Sequence, residues 1–238
     1  MTTQSKVNNI FYKEGQKLLV AVDCIVFGFN RGKLKLLIME RKIEPQKGKW
    51  SLIGGFVQKD ESLDQAAYRI LQACTGIHDM HLDQLYAFGE VDRDTGGRVV
   101  SVAYYSLINL ELFEQELLKE YNAKWINIDD IPELALDHNK MANSALEALQ
   151  KQASIKPIGF ELLPEKFTLP QLQLLYEAIY NRKMDKRNFQ KKILKNDLLI
   201  KLDEKDKSTS KKGAYLYRFD LDKYSKIKSN EDSFYIKV

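Results

Sequence analysis

The sequence has few cysteines and no long apolar run, and each shortage excludes a class of protein. Its 238 residues include two cysteines, Cys24 and Cys74, which stand in apolar surroundings without C-x-x-C spacing. We therefore predict no disulfide framework, no metal site and no cofactor. The longest apolar stretch, residues 18–29, is interrupted by Asp23, and the N-terminus lacks the apolar core of a signal peptide. A cytoplasmic protein that does not bind membranes is expected.

The charge is weak overall but uneven along the chain. In total, 37 Lys/Arg and 33 Asp/Glu give a formal net charge of +4. Residues 164–228 contain 17 basic and 9 acidic side chains, whereas residues 1–163 contain 19 basic and 22 acidic ones. A basic segment of this kind favours a polyanionic partner. The two parts of the chain are therefore expected to bind different partners.

Alternating strand and helix patterns fill the first 155 residues. Runs rich in β-branched residues predict strands, and a polar pair at Glu61 and Ser62 together with Gly76 predicts the two ends of a helix. The predicted strands are residues 18–29, 33–40, 51–57, 82–91, 98–107 and 123–128, and the predicted helices are residues 61–76 and 139–152. These patterns predict a mixed α/β domain over residues 1–155.

A second domain is predicted for residues 164–230. Two prolines and a glycine interrupt the patterning between residues 154 and 164 and indicate a short, ordered linker. The elements that follow are helices at residues 169–180 and 185–195, and strands at residues 198–202 and 214–221 around the polar tip 203–212. Two helices followed by a hairpin are typical of a winged helix. The predicted fold class is therefore α+β, a mixed-sheet domain followed by a winged helix-turn-helix domain.

The most specific motif begins at the end of the third predicted strand. Gly55 is followed after five residues by Glu61, after seven more by Arg69, and then by Gly76 and the apolar Ile77. This spacing resembles the signature of the Nudix superfamily. The resemblance implies an α/β/α sandwich whose box helix follows Gly55. A chance match is the alternative, because a pattern this degenerate recurs in ordinary strand-turn-helix units.

The metal-binding part of that signature is missing. In Nudix hydrolases, three glutamates that follow the arginine hold divalent metals against a pyrophosphate. The corresponding residues here are Ile70, Ala73 and Cys74. None of them binds a hard cation through oxygen, so the resemblance implies a degenerate Nudix box. We therefore predict that the protein is not an enzyme.

A Nudix-like domain joined to a winged helix makes nearly the whole chain resemble the NrtR-like, Nudix-related transcriptional regulators of bacteria. The resemblance implies a homodimeric regulator, a repressor, that binds double-stranded operator DNA and senses a small-molecule effector. That effector is expected to be an ADP-ribose-type nucleotide or a pentose such as arabinose. The loss of every metal-binding glutamate makes a sugar at least as good a candidate as a pyrophosphate.

Basic and amide side chains on the second helix of the winged helix, and basic side chains in its wing, are the candidates for DNA contact. Arginine and amide side chains near a helix N-terminus can read guanine and adenine edges, and lysines contact phosphate. The candidates are Lys186, Arg187, Asn188, Gln190, Lys191, Lys195, Lys207, Lys211, Lys212 and Arg218. The alternative is a solvated charged face without a partner.

Candidates for effector binding are chosen by their place in a Nudix-like cleft. An aromatic ring stacked on a sugar, with carboxylates and guanidinium groups on its hydroxyls, is the chemistry that a pentose requires. The candidates are Arg41, Trp50, Glu90, Asp92, Arg93, Arg98, Tyr104 and His138. As alternatives, Trp50 and Tyr104 belong to the core, His138 caps the following helix, and Glu61 pairs with Arg69.

Two further functions remain open at this point. One is an active Nudix pyrophosphohydrolase that acts on nucleotide sugars such as ADP-ribose, with metal ligands relocated to nearby acidic residues. The other is an RNA-binding or tethering module, because basic winged helices also contact RNA and proteins.

Overall fold

A computed structural model describes residues 15–76, 80–110, 122–155, 158, 162–208 and 212–223. Ile77 of the box signature, Lys211 of the wing and the last residues of the predicted second domain lie outside these ranges. None of the helices in the described ranges is long and apolar enough to cross a membrane.

Seven strands in the first half of the chain form one mixed sheet. They are β1 (Leu19–Asn30), β2 (Lys33–Glu40), β3 (Trp50–Ser51), β4 (Ile53–Phe56), β5 (Asp83–Phe88), β6 (Val99–Asn109) and β7 (Ala123–Asn127). The order across the sheet is β3-β2-β1-β6-β5, while β4 pairs with β1 and β7 pairs with β2. The central pair, β1 and β6, is parallel, and the remaining pairs among the described strands are antiparallel.

Alternation along β1 divides the core between the two faces of the sheet. Val22 and Cys24 pack against helix α1 (Leu63–Thr75), whereas Ile25 belongs to the cluster beneath helix α2 (His138–Ile155). The sheet therefore lies between two helices. This is the α/β/α sandwich that the Nudix resemblance implies.

Helix α1 begins and ends where the sequence predicts. The Ser62 hydroxyl accepts a hydrogen bond from the Gln65 backbone, and the Gln65 side chain accepts one from the Ser62 backbone, which forms a capping box. At the other end Gly76 has a φ of 68°. This left-handed conformation costs glycine no steric strain, so the helix stops there.

The second half of the chain forms a winged helix. Its elements are β8 (Phe167–Thr168), α3 (Leu169–Tyr180), α4 (Lys186–Lys195), β9 (Leu199–Asp206) and β10 (Ala214–Phe219). The strands pair in the order β8-β10-β9. Tyr176 of α3 and Phe189 of α4 pack with ring centroids 5.5 Å apart. The predicted fold class, a mixed-sheet sandwich followed by a winged helix, is confirmed.

Several element bounds differ from the prediction by a few residues, and one short strand was not predicted. β9 continues through residues 203–206, which the sequence analysis placed in the polar tip, because an exposed wing strand tolerates charged side chains. The two-residue strand β8 was not predicted, since so short a strand shows no periodicity. β5 ends at Phe88, which places Glu90 in a loop. Helix α2 continues to Ile155, three residues beyond its predicted end.

The sandwich and the winged helix pack directly against each other through α2 and α3. The Gln150 side-chain amide donates to the Ile179 carbonyl (2.9 Å), and the Tyr180 hydroxyl donates to the Gln150 carbonyl (2.8 Å). Asn181 donates to Asp129 across 2.6 Å. The apolar side chains beneath these contacts belong to one continuous buried cluster shared by both halves. Helix α2 therefore connects the sheet with the winged helix.

Candidate functional site

The remnant of the Nudix box is a structural ion pair. Arg69 donates from Nε to Glu61 Oε2 (2.7 Å) and from Nη2 to Glu61 Oε1 (2.5 Å). Glu61 also accepts a hydrogen bond from the Gln58 backbone, and Arg69 donates to the Phe56 carbonyl. These contacts occupy both oxygens of Glu61 and fasten the loop before α1 to the helix.

The three positions at which Nudix hydrolases carry metal-binding glutamates are occupied here by residues without carboxylates. Ile70 is buried, and its Cδ1 lies 3.0 Å from the point that a Cβ on Gly55 would occupy. Ala73 is exposed, and burial raises the pKa of the half-buried Cys74 thiol. Within the described ranges, no group of three or more His, Cys, Asp or Glu side chains is arranged to hold a metal ion.

A pocket opens on the opposite face of the sheet, where α2 begins. Its inner part, the inner pocket, has a volume of about 50 Å³, and an outer depression of about 310 Å³ adjoins it. Arg93 and Leu136 line both. The other polar or charged residues of the inner pocket are Asp23, Arg41, Ser51, Asp94 and His138, and those of the outer depression are Gln46, Glu90, Asp92, Thr95, Asp137 and Lys140.

Buried charges form the floor of this pocket. Arg93 is 7% exposed and donates to both carboxylate oxygens of Asp137, at 3.0 and 2.8 Å. Asp23 is 5% exposed, and its Oδ2 accepts from the Ser101 hydroxyl (2.6 Å) and lies 3.7 Å from Arg93 Nη2. Buried charges are stable only when they are paired in this way. The network joins β1, β6, the loop after β5 and the start of α2.

His138 is the first residue of α2, and its ring is buried. The Leu52 backbone N–H donates to Nδ1 (3.1 Å), and Nε2 lies 3.6 Å from Asp23 Oδ1. Burial lowers the pKa of His138, so the ring is neutral near pH 7. Because Nδ1 accepts, the proton of the neutral ring is on Nε2, which faces Asp23.

Gly54 makes room for the acidic side chain of this network. It pairs with Asp23 across β1 and β4, and a Cβ on Gly54 would lie only 2.0 Å from Asp23 Oδ1. The second glycine of the pair, Gly55, lines the same pocket. Gly54 therefore allows a carboxylate to reach the pocket floor from the middle of an apolar strand.

The predicted effector residues separate into two groups. Arg41, Arg93 and His138 line the inner pocket, and Glu90 and Asp92 line the outer depression. Neither depression is lined by the other three candidates, Trp50, Arg98 and Tyr104.

Trp50, Arg98 and Tyr104 have other roles. The Trp50 ring lies beneath Lys124, whose Nζ is 3.6 Å from the ring centroid. Arg98 donates to the carbonyls of Gly89 and Glu90 and so holds the loop after β5. Tyr104 is buried on the α1 face and donates to Asp64 (2.6 Å). Side-chain alternation places Tyr104 on the face of the sheet away from the pocket.

Three polar residues of the hydrogen-bond network at the pocket floor, Asp23, Ser51 and Asp137, were not among the predicted candidates. Asp23 and Asp137 carry the buried charge network, and Ser51 lies 3.2 Å from His138 Nδ1 while donating to the Leu52 carbonyl. Asp23 could have been predicted from the sequence, because burying a single acidic side chain within an apolar strand costs free energy unless the charge is paired. Asp137 directly precedes a candidate that was chosen, His138.

Helix α4 presents a basic face to solvent. Asp185 caps its N-terminus, and Phe189 and Ile193 are its buried side chains. Five of the six predicted DNA-contact residues on this helix are exposed, namely Lys186, Arg187, Asn188, Lys191 and Lys195, and the sixth, Gln190, is half-buried. The apolar side chains therefore fix the helix while its polar face remains accessible.

The wing adds further exposed cations. Tyr215 lies between two lysines of β9, with Lys201 Nζ 3.7 Å and Lys205 Nζ 4.4 Å from its ring centroid. Lys207, Lys212 and Arg218 are exposed. The wing and α4 thus display positive charge on one domain, as a nucleic-acid interface requires.

Family models match both parts of the chain. The NUDIX domain matches residues 17–148, and the NrtR DNA-binding winged helix domain matches residues 159–219. The chain is 32% identical over 210 residues to the ADPR responsive transcriptional repressor NtrR of Acinetobacter baylyi, which covers 87% of this chain and 84% of that protein. It is 34% identical over 123 residues to the ADP-ribose pyrophosphatase of Methanocaldococcus jannaschii, which covers 51% of this chain and 69% of that protein.

Solved structures of NrtR proteins and of their NUDIX domain are also similar to this chain. The crystal structure of Shewanella oneidensis NrtR complexed with a 27mer DNA has a TM-score of 0.73 at 30% identity, covering 87% of this chain and 95% of that chain. The NUDIX domain of that protein complexed with ADP ribose has a TM-score of 0.53 at 31% identity, covering 63% of this chain and 99% of that chain.

Proposed function

Because the chain belongs to the NrtR family, which joins a Nudix domain to a DNA-binding winged helix, we propose that it is a transcriptional repressor controlled by ADP-ribose. The family predicted from the box and the wing is confirmed. We assign effector binding to residues 1–155 and operator binding to residues 164–230. The observation that carries this assignment is helix α2, which begins in the pocket and packs against the winged helix.

The chemistry of the inner pocket supports a nucleotide sugar as the effector. Asp23 and His138 offer a buried acceptor and donor, and Arg41 adds a guanidinium group at the same pocket. Ile43 and Phe56 line it as well and are 54% and 45% exposed, which leaves apolar surface for a purine ring. A site for ADP-ribose needs all three kinds of group.

A pentose alone uses only part of this set. The sugar-responsive alternative, with arabinose as the example, has hydroxyls for the polar side chains and a face that can stack, but it has neither a purine ring nor a phosphate. The relatives described above include a repressor named for ADPR and a NUDIX domain complexed with ADP ribose. ADP-ribose is therefore the proposed effector, and free pentoses serve as its competitors in the test.

The exposed face of α4 is proposed to enter the major groove, and the wing lysines to contact phosphate. Arg187 and Asn188 occupy the first turn of α4, where helix-turn-helix proteins read base edges. One winged helix reads one half-site, so we propose that a homodimer binds a two-fold related operator. A change in the relative placement of the two winged helices then changes operator affinity.

An active pyrophosphohydrolase is the second candidate, since the archaeal relative is an ADP-ribose pyrophosphatase. Against it, Glu61 has both oxygens engaged, and the next box positions are Ile70, Ala73 and Cys74. Incubation with ADP-ribose and Mg²⁺ is expected to release no ribose phosphate. Release that Glu61→Gln abolishes would establish the hydrolase instead.

Fluorescence anisotropy tests the proposed repressor. The labelled duplexes are taken from the DNA immediately upstream of the protein's own gene and its neighbours. We expect salt-sensitive binding to at least one duplex, about 10³-fold or more tighter than to unrelated DNA. ADP-ribose is expected to alter that affinity, while free arabinose and ribose leave it unchanged. Tighter binding to single-stranded RNA than to duplex would favour the RNA-binding alternative.

Two matched variants locate the DNA-reading element. Arg187→Ala removes an exposed guanidinium from the first turn of α4 and is expected to cost about 1–3 kcal/mol of specific binding. Lys59→Ala removes an exposed cation from the Nudix half and is expected to leave binding unchanged. Equal losses in both variants would indicate a purely electrostatic contact in place of the proposed groove insertion.

A further inference from the structure

The floor of the inner pocket contains a donor and an acceptor that face each other without forming a hydrogen bond. Among the described residues, Asp23 Oδ1 accepts no hydrogen bond, since the Ser101 hydroxyl donates to the other oxygen, Oδ2. His138 Nε2 carries the ring proton and has Asp23 Oδ1 as its neighbour, 3.6 Å away. That separation exceeds the usual hydrogen-bond length of about 2.7–3.2 Å.

A hydroxyl group seated beside these two atoms can bridge them. An oxygen placed about 2.8 Å from each can accept from His138 Nε2 and donate to Asp23 Oδ1 at the same time, which a hydroxyl does and a phosphate oxygen does not. Both side chains line the pocket, and both are at least nine-tenths buried, so a group seated there is shielded from bulk water. Hydrogen bonds to buried, charged groups are among the stronger ones.

Charge and size exclude the other parts of the proposed effector from this position. Two carboxylates, those of Asp23 and Asp94, line the inner pocket together with two guanidinium groups, those of Arg41 and Arg93, and Asp137 binds Arg93 from the outer depression. Arg93 is already paired with Asp137 and Asp23, so a diphosphate at the floor would lie against the Asp23 carboxylate without a free Arg93 guanidinium group to bind it. The volume of about 50 Å³ holds several hydroxyl-sized groups, because one water needs about 10–15 Å³. An adenine with its phosphates requires more.

We propose that Asp23 and His138 bind a hydroxyl of the terminal ribose, so that the sugar end of ADP-ribose enters the inner pocket first and distinguishes it from ADP. This inference rests on the proposed function, since it names the part of the effector that the same pocket recognises. It also makes His138, at the start of α2, the residue through which sugar binding reaches that helix.

Isothermal titration calorimetry of the full-length protein with ADP-ribose and with ADP tests the assignment. ADP retains the adenosine and the diphosphate but lacks the terminal ribose. We expect ADP-ribose to bind at least about tenfold more tightly than ADP, from one or two buried hydrogen bonds. This comparison uses the wild-type chain and needs no substitution. Equal affinities for the two ligands would overturn the inference and leave ADP-ribose control intact, whereas binding of neither ligand would overturn both.

Two matched variants test whether the preference for ADP-ribose over ADP arises at the pocket floor. Asp23→Asn replaces the acceptor at constant size. The affinity for ADP-ribose is expected to fall to within about threefold of the affinity for ADP, while the affinity for ADP itself should not change. Asp83→Asn makes the same chemical change at an exposed carboxylate of β5 and is expected to retain the full preference. An Asp23→Asn protein that still prefers ADP-ribose tenfold would show that another group reads the ribose.

Discussion

At the scale of single residues, the pair formed by Glu61 and Arg69 gives the fold a pH-dependent contribution. Hydrogen bonds from Arg69 hold the pKa of Glu61 at about 2, against an ordinary value of 4.5. A carboxylate whose pKa is lowered on folding stabilises the folded state above its unfolded pKa. That stabilisation is lost as the pH falls through the folded value.

Glu61→Gln is therefore expected to lower the Tm at pH 7 and to have a progressively smaller effect as the pH falls from about 4.5 towards 2. Thermal unfolding followed by circular dichroism across this range measures the difference from wild type. Asp60→Asn, at the exposed neighbouring carboxylate, provides the control and should show no comparable trend. A Tm difference that stays constant with pH would contradict the ion pair as its source.

The space next to Asp23 makes Gly54 the most size-restricted glycine of the pocket. Gly54→Ala places a methyl group 2.0 Å from Asp23 Oδ1 and 3.0 Å from the Val22 carbonyl oxygen, while the Ser101 hydroxyl holds the Asp23 carboxylate. We expect a loss of about 1–3 kcal/mol in the free energy of unfolding, measured by urea denaturation, together with weaker effector binding. Gly97→Ala is the matched control because nothing lies within 4 Å of its added Cβ.

Gly97→Ala should change stability by less than about 0.5 kcal/mol. If Gly54→Ala were as stable as the control, the Asp23 carboxylate would have to occupy a different position from the one described.

At the scale of elements, helix α2 is the proposed connection between the effector pocket and the DNA-binding domain. Tyr180→Phe removes the hydroxyl that donates to the Gln150 carbonyl but retains the ring. The affinity for ADP-ribose should not change, since the pocket is at the other end of α2. The ratio of operator Kd values with and without ADP-ribose should shrink by about 2–10-fold, as expected for one hydrogen bond.

Anisotropy titrations with and without saturating ADP-ribose measure that ratio. Lys151→Ala, at an exposed position of the same helix, should preserve it. An unchanged ratio in Tyr180→Phe would place the coupling outside the contact between α2 and α3.

A feature could be predicted from the sequence when the residues that define it lie close together along the chain. The bounds of α3 and α4 agree with the prediction because Thr168 and Asp185 cap them through residues three positions away. The pocket floor depends on distant partners instead: Arg93 and Asp137 are 44 positions apart, and Ser101 and Asp23 are 78 apart. Local patterns therefore predict helices and the basic face, whereas the pocket floor forms only when β1 pairs with β6 and the loop after β5 meets the start of α2.

At the scale of the whole molecule, two winged helices are expected to act together. Size-exclusion chromatography with light scattering should give about 55 kDa, twice the mass of the 27.6 kDa chain, without DNA. With operator DNA present, two chains should bind each duplex. A single chain per duplex, together with a monomeric mass, would contradict the proposed two-fold arrangement.

The length of α2 has a mechanical consequence. Its 18 residues extend about 27 Å at a rise of about 1.5 Å per residue, with His138 at the pocket and Gln150 against the winged helix. If the helix pivots at its buried first turn, a rotation of about 5° displaces its far end by roughly 2 Å, a shift typical of allosteric helix motions. In the proposed regulation α2 would act as a lever arm, so that a displacement of the His138 ring by a fraction of an ångström would become a severalfold larger displacement at the DNA-binding end.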